Sequence, residues 1–189
     1  IRISQFTDVT PDQYEKAFSD LKDQGMEQLV VDLRGNPGGL LTSVCAILNS
    51  ILPEGLIVYT EDKYGNRSEE RSEGKTPLDM PFAVLVNENS ASASEIFAGA
   101  VQDYGIGTIV GTVTYGKGVV QELRPLSDGS AVKLTVSDYY TPKGKSINEV
   151  GIKPDVEVKL DPELLNQEEI THQEDNQLQE ALKVLETDN

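Results

Sequence analysis

The chain has one cysteine, one histidine and no tryptophan in 189 residues, and 16 basic residues against 32 acidic ones. Each scarcity excludes something. The single Cys45 cannot form an internal disulfide. In the apolar run Val44-Cys45-Ala46-Ile47-Leu48 it reads as a small buried hydrophobe, and it says little about redox compartment. The lone His172 stands among Thr, Gln and Glu, as a solvated surface residue does. A Ser-His-Asp arrangement is therefore not expected, and a histidine-rich metal site is excluded. A formal net charge of −16 argues against nucleic acid or an anionic membrane surface, either of which needs a basic patch. No signal peptide or membrane span is legible. Ile1-Arg2-Ile3-Ser4-Gln5-Phe6 lacks an initiator methionine and already alternates like a strand. The chain is read as a piece of something longer, so missing targeting signals carry no weight.

What remains is a composition 38% hydrophobic and 6% aromatic, enough for one sizeable core of Val, Leu, Ile and Ala. The acid concentrates towards the C-terminus and between Glu54 and Glu73, where it reads as solvated surface. Short apolar runs at Leu29–Leu33, Leu56–Thr60, Phe82–Val86 and Gly107–Gly111 predict strands. Helices are predicted from Thr10, from Leu40 to Leu52, from about Ser92 to Tyr104, and from Ile170 to Leu185. The last carries Leu178, Ala181, Leu182 and Leu185 on one face. At the first helix Thr10 fits the N-cap, Pro11 the first turn, Gln13 a capping box and Gly25 the terminator. Asp62 to Lys75 is polar, a hairpin or loose loop. Val119–Leu123 and Ala131–Tyr139 alternate around Ser127-Asp128-Gly129-Ser130, a hairpin. The expected fold is α/β, with a mixed, largely parallel sheet and flanking helices. A core over residues 1–160 is followed by an acidic extension over 161–189 whose helix packs on it.

The chemistry points to the stretch after Phe82–Val86. There Ser90-Ala91-Ser92-Ala93-Ser94-Glu95 leads a buried strand into a helix. A serine at such a turn is exposed, rigidly held and flanked by N–H groups without intrahelical partners. A hydroxyl needs a base to become a nucleophile. With histidine set aside, lysine remains, since a neutral lysine can take a serine proton when burial lowers its pKa. Lys117 lies between Gly116 and Gly118, in a locally apolar stretch without acids until Glu122. On their own, Gly-Lys-Gly fits a surface turn and the serine run fits a helix cap equally well.

Five ordered motifs add to this: Asp32-Leu33-Arg34-Gly35-Asn36-Pro37-Gly38-Gly39, Ser90-Ala91-Ser92-Ala93-Ser94-Glu95-Ile96, Tyr115-Gly116-Lys117-Gly118-Val119-Val120-Gln121, Tyr140-Thr141-Pro142-Lys143-Gly144-Lys145-Ser146-Ile147 and Gly151-Ile152-Lys153-Pro154-Asp155-Val156. Together, over nearly the whole chain, they resemble the C-terminal processing peptidases, or tail-specific proteases, which are Ser-Lys enzymes. The resemblance implies Ser92 as nucleophile, Lys117 as general base and Gln121 as the residue that orients the amine. On an extended segment, positions 117, 119 and 121 share a side. It implies an oxyanion hole from the N–H of Ala93 and that of Gly38 or Gly39, with Gly38 preferred. It further implies a fold related to the crotonase and caseinolytic-protease superfamily, and no metal or cofactor. The implied location is extracytoplasmic: periplasm, cell envelope or thylakoid lumen. Protein or peptide tails are the implied substrates, and a PDZ domain in the parent, absent from this sequence, is the implied partner. Two other readings are a crotonase-like acyl-CoA enzyme, which has no need of Lys117, and a non-catalytic adaptor. Retention of Ser92, Lys117 and Gln121 together weighs against the adaptor.

Overall fold

The computed structural model describes residues 1–165, 167 and 169–187; residues 166, 168, 188 and 189 of the expected extension lie outside the described residues. In chain order the elements are α1 (Thr10–Asp23), β1 (Leu29–Asp32), α2 (Leu41–Asn49), β2 (Gly55–Asp62), β3 (Arg67–Ser72), β4 (Phe82–Val86), α3 (Ala93–Tyr104), β5 (Thr108–Gly111), β6 (Val119–Pro125), β7 (Ala131–Tyr140), β8 (Val156–Glu157) and α4 (Asn176–Thr187).

The strands divide into two sheets of four, in the orders β1-β4-β5-β8 and β3-β2-β7-β6. Pairing is parallel throughout the first and antiparallel throughout the second. The sheet is therefore not one largely parallel sheet as expected. The hairpins β2–β3 and β6–β7 pair with one another through β2 and β7, and so build a sheet of their own.

β4 is the centre of the parallel sheet, and all five of its residues are buried. Its side chains alternate between two apolar layers. Phe82, Val84 and Val86 join the large core with Phe97, Val101 and Ile109. Ala83 and Leu85 pack with Val110 against Ala181 and Leu185 of α4. A strand covered on both faces reads as a continuous apolar run, which Phe82–Val86 is. Phe97 lies between Phe6 and Phe82, with ring centroids 6.5 Å from each.

Several local expectations change. Ile1–Phe6 forms two isolated bridges, Arg2 to Asp32 and Phe6 to Gly39, instead of a strand. The turn between Asp32 and Gly39 leaves the line of β1, so no ladder can run continuously beside it. Thr10 lies inside α1 rather than at its cap. Its hydroxyl donates to the Gln5 carbonyl at 3.0 Å and accepts from the Thr7 N–H at 2.9 Å, so no capping box with Gln13 forms. The terminator holds, with Gly25 at φ +87°. α4 is shorter than expected: Asp175 packs against the core, His172 is exposed in a turn before the helix, and Leu182 on α4 is 38% exposed.

Candidate active site

The turn from β4 to α3 holds Ser92 at φ 56° and ψ −113°, a conformation that costs a residue with a Cβ about 1–3 kcal/mol and persists only where its surroundings impose it. Those surroundings are specific. The Ala91 N–H donates to the Asn36 carbonyl at 3.0 Å, and the Ser90 hydroxyl donates to the Leu33 carbonyl at 2.8 Å. The Ser94 hydroxyl donates to the Asn36 carbonyl at 3.0 Å. Ser90 and Ser94 are fully buried and committed to the main chain, whereas Ser92 is half-buried. Of the three serines, the middle one faces outward.

Glu95 lies one turn into α3 and is fully buried. Its carboxylate accepts four hydrogen bonds: at Oε2 from the Ser92 N–H (2.8 Å) and the Lys117 N–H (2.9 Å), at Oε1 from the Thr114 hydroxyl (2.6 Å) and the Gly116 N–H (2.7 Å). Four donors fill the carboxylate's acceptor positions. One side chain thus fixes the backbones of the candidate nucleophile and the candidate base to each other. The carboxylate half of a capping box, absent at Thr10, is present here, with the Glu95 side chain accepting from the Ser92 N–H. Its sequence signature, Ser-x-x-Glu before an apolar run, was available to find Glu95.

Lys117 is half-buried in the segment between β5 and β6. Gly116 and Gly118 are packed against the chain that follows β7: a Cβ on Gly118 would stand 2.2 Å from the Asn148 nitrogen, and the Glu149 N–H donates to the Gly116 carbonyl at 2.8 Å. Among the described residues the Lys117 amine makes no ion pair, and no hydrogen bond joins it to the Ser92 hydroxyl. Among the described residues no hydrogen bond joins Gln121 to the amine. Gln121 is exposed on β6, with its amide 3.5 Å from the Thr135 hydroxyl. Lys117 precedes β6, which starts at Val119, and the register slip between Val120 and Gln121 leaves Val136 of β7 unpaired, so positions 117, 119 and 121 do not share one continuous strand as expected.

The Pro37-Gly38-Gly39 turn packs directly on the serine. A Cβ on Gly38, at φ +102°, would lie 2.7 Å from the Ala91 carbonyl, 2.9 Å from the Ser92 Cβ and 3.0 Å from the Ala93 nitrogen. The Gly38 N–H itself is engaged, donating to Asn36 Oδ1 at 2.8 Å. The N–H groups of Gly39 and Ala93 have no acceptor among the described residues. Asn36, also unassigned from sequence, is fully buried. Its amide donates to the Ile3 carbonyl at 2.9 Å while its carbonyls hold Ala91, Ser94 and Gly38. Among the described residues no group of His, Cys, Asp and Glu could hold a metal ion, and no helix is long and apolar enough to cross a membrane.

Comparison with known proteins gives a consistent result. Residues 1–158 match peptidase family S41. The "Carboxyl-terminal-processing protease" of Synechocystis sp. is 44% identical over 185 residues, 98% of this chain and 43% of that protein. The "C-terminal processing peptidase, chloroplastic" of Tetradesmus obliquus is 41% identical over 167 residues, 87% of this chain and 35% of that protein. Among solved structures, a photosystem II D1 C-terminal processing protease superposes with a TM-score of 0.79 at 39% identity, over 84% of this chain and 41% of that one. The chain spans less than half the length of these relatives. Its combination of a parallel sheet and a curled antiparallel sheet matches that solved structure, and the chain belongs to peptidase family S41.

Proposed function

We propose that this chain is the catalytic part of a serine endopeptidase that cleaves polypeptides at or near their C-termini, with Ser92 as nucleophile and Lys117 as base. The observation that carries the reading is the Glu95 carboxylate, which ties the backbones of these two residues together beside a strained, outward-facing serine. The names of the relatives, which process C-termini, support the substrate class. Ser92 Oγ attacks the peptide carbonyl as its proton passes to the Lys117 amine. The tetrahedral oxyanion is held by the N–H of Ala93 and by the Gly38–Gly39 turn, where the Gly39 N–H is unengaged among the described residues; each donor lowers the barrier by about 3 kcal/mol. The C–N bond breaks as the lysine ammonium protonates the leaving amine. Water, giving its proton to the same amine, then releases the acyl group.

This arrangement is a resting one. The Lys117 side chain closes on Ser92 when substrate or the rest of the parent protein, including a PDZ domain, is engaged, and Gln121 comes into use only after that closure. The chain's location is extracytoplasmic, and its fold is related to the crotonase and caseinolytic-protease superfamily. Ser92→Ala and Lys117→Ala each abolish hydrolysis of an unfolded protein or a C-terminal peptide, with circular dichroism unchanged. Cleavage at the wild-type rate in Lys117→Ala overturns the base. A serine-directed probe that labels Ser90 or Ser94 moves the nucleophile.

A further inference from the structure

The acidic C-terminal segment reads as solvated tail, and the family match ends at residue 158. Yet this segment places a buried carboxylate against the Asp32-Leu33-Arg34 motif. Asp175 is 6% exposed. Its Oδ1 and Oδ2 accept from Arg34 Nη1 at 2.9 Å and Nη2 at 2.7 Å, and Gln177 Oε1 accepts from Nη1 at 3.1 Å. On the opposite edge of the guanidinium, Asp32 accepts from Nε at 2.9 Å and from Nη2 at 2.8 Å. These five contacts use all five donors of the arginine. Paired bidentate contacts fix position and plane as well as charge.

Both ends of this clamp lead to the reacting serine. On the C-terminal side, Asp175 accepts from the Leu178 N–H at 3.0 Å at the start of α4, and α4 packs through Ala181 and Leu185 on β4, the strand that runs into Ser92. Gln177 donates to the Val158 carbonyl at 2.7 Å. On the other side, Arg34 opens the turn that carries the oxyanion amides. The Gly35 N–H donates to Asn87 Oδ1 at 2.9 Å, and Asn36 joins the turn to Ala91 and Ser94 on either side of Ser92. Asp32 holds one edge of the planar guanidinium from the end of β1, and Asp175 with Gln177 holds the other from the C-terminal segment, so the residue at the head of the turn is anchored from both sides.

We propose that Asp175 is a positioning residue for peptide hydrolysis, acting through Arg34 to set the Gly35–Gly39 turn against Ser92. This rests on the peptidase reading above. It makes the C-terminal segment part of the working site, although that segment lies outside the family match.

The test compares the wild-type chain with Asp175→Asn in peptide hydrolysis and in the rate at which a fluorophosphonate labels Ser92. Misplacing the oxyanion amides lowers kcat and the labelling rate together, by between about 10- and 100-fold, with KM within about twofold. Asp175→Glu recovers part of the loss. Leu52→Ala, a core change remote from the turn, lowers the melting temperature while kcat is kept, which separates positioning from general loosening. Unchanged kcat and labelling in a folded Asp175→Asn overturn the proposal and leave the peptidase reading standing. If that variant does not fold, Asp175→Glu is read in its place: it keeps the charge but displaces the two short contacts to Arg34, and a kcat and labelling rate equal to wild type overturn the proposal. A wild-type chain that is neither labelled at Ser92 nor active on any unfolded protein overturns both readings.

Discussion

The two sheets hold the two candidate catalytic residues in different ways. Ser92 leaves a strand buried on both faces and enters a helix of which every residue from Ala93 to Val101 is buried. Lys117 leads into β6, an edge strand paired only with β7, and from Gln121 to Thr135 every residue of that hairpin is exposed. Leu123 is 70% exposed on it. The candidate nucleophile and the glycine turn beside it are thus fixed by the core, while the candidate base stands where core gives way to thinly supported sheet. Glu95 bridges the two regions through the Ser92, Gly116 and Lys117 N–H groups and the Thr114 hydroxyl, so it holds the lysine's backbone and not its amine.

Breaking the serine half carries the largest stability cost. Phe97→Ala empties the space between Phe6 and Phe82 and lowers unfolding free energy by about 3–5 kcal/mol, measured by chemical denaturation. The bridge comes next. Glu95→Gln turns one acceptor oxygen into an N–H donor facing donors, either Ser92 and Lys117 or Thr114 and Gly116. The cost is about 1–3 kcal/mol, and peptide hydrolysis falls well beyond what the loss of folded protein explains. A Glu95→Gln variant as active as wild type would mean that the two halves are held together by something else.

A smaller effect separates the halves by pH. Burial pushes the Asp103 carboxyl up, but the Thr141 hydroxyl, the Lys143 N–H at 2.8 Å and the Lys145 ammonium at 3.0 Å outweigh it, and its pKa falls below the ordinary 3.8. For Asp175, burial is likewise outweighed by Arg34 and by main-chain donors, and its pKa is lowered too. Burial would also lower the Arg34 pKa, but Asp32 and Asp175 raise it overall. A carboxyl whose folded pKa lies below its unfolded one contributes stability that is present above about pH 4. That stability is lost as pH falls through the folded value. Unfolding on acidification is therefore steeper in the wild type than in Asp175→Asn, read as melting temperature between pH 5 and pH 2.

How far the sequence foretold this depends on the range of the forces involved. Strand β4, helix α3 with Gly105 closing it at φ +67°, and the β6–β7 hairpin were legible because apolar runs, glycines and turn residues act locally. The motif order located Ser92, Lys117 and the glycine turn. Glu95 carries a local capping signature, but its bonds from Gly116 and Lys117, like those of Asn36 to Ala91 and Ser94, join parts of the chain far apart in sequence and could not be read locally. Asp175 was hidden among many acids, and only its pairing 141 residues back with Arg34 sets it apart. The reading that set Gln121 beside Lys117 treated 117 to 121 as one extended segment, whereas β6 begins only at Val119.

The smallest effect tests the hairpin itself. Leu123 and Leu134 are exposed on a strand pair that no layer covers among the described residues, so little apolar surface is removed from water when this part folds. Leu123→Ser therefore changes unfolding free energy by less than about 0.5 kcal/mol, as for surface positions generally. If the hairpin serves only to carry Lys117, hydrolysis of a short peptide is also unchanged. A loss of more than about 2 kcal/mol would show that the hairpin is covered in solution. The base would then rest on packing as firm as that of the nucleophile, and the contrast between the two halves would fail.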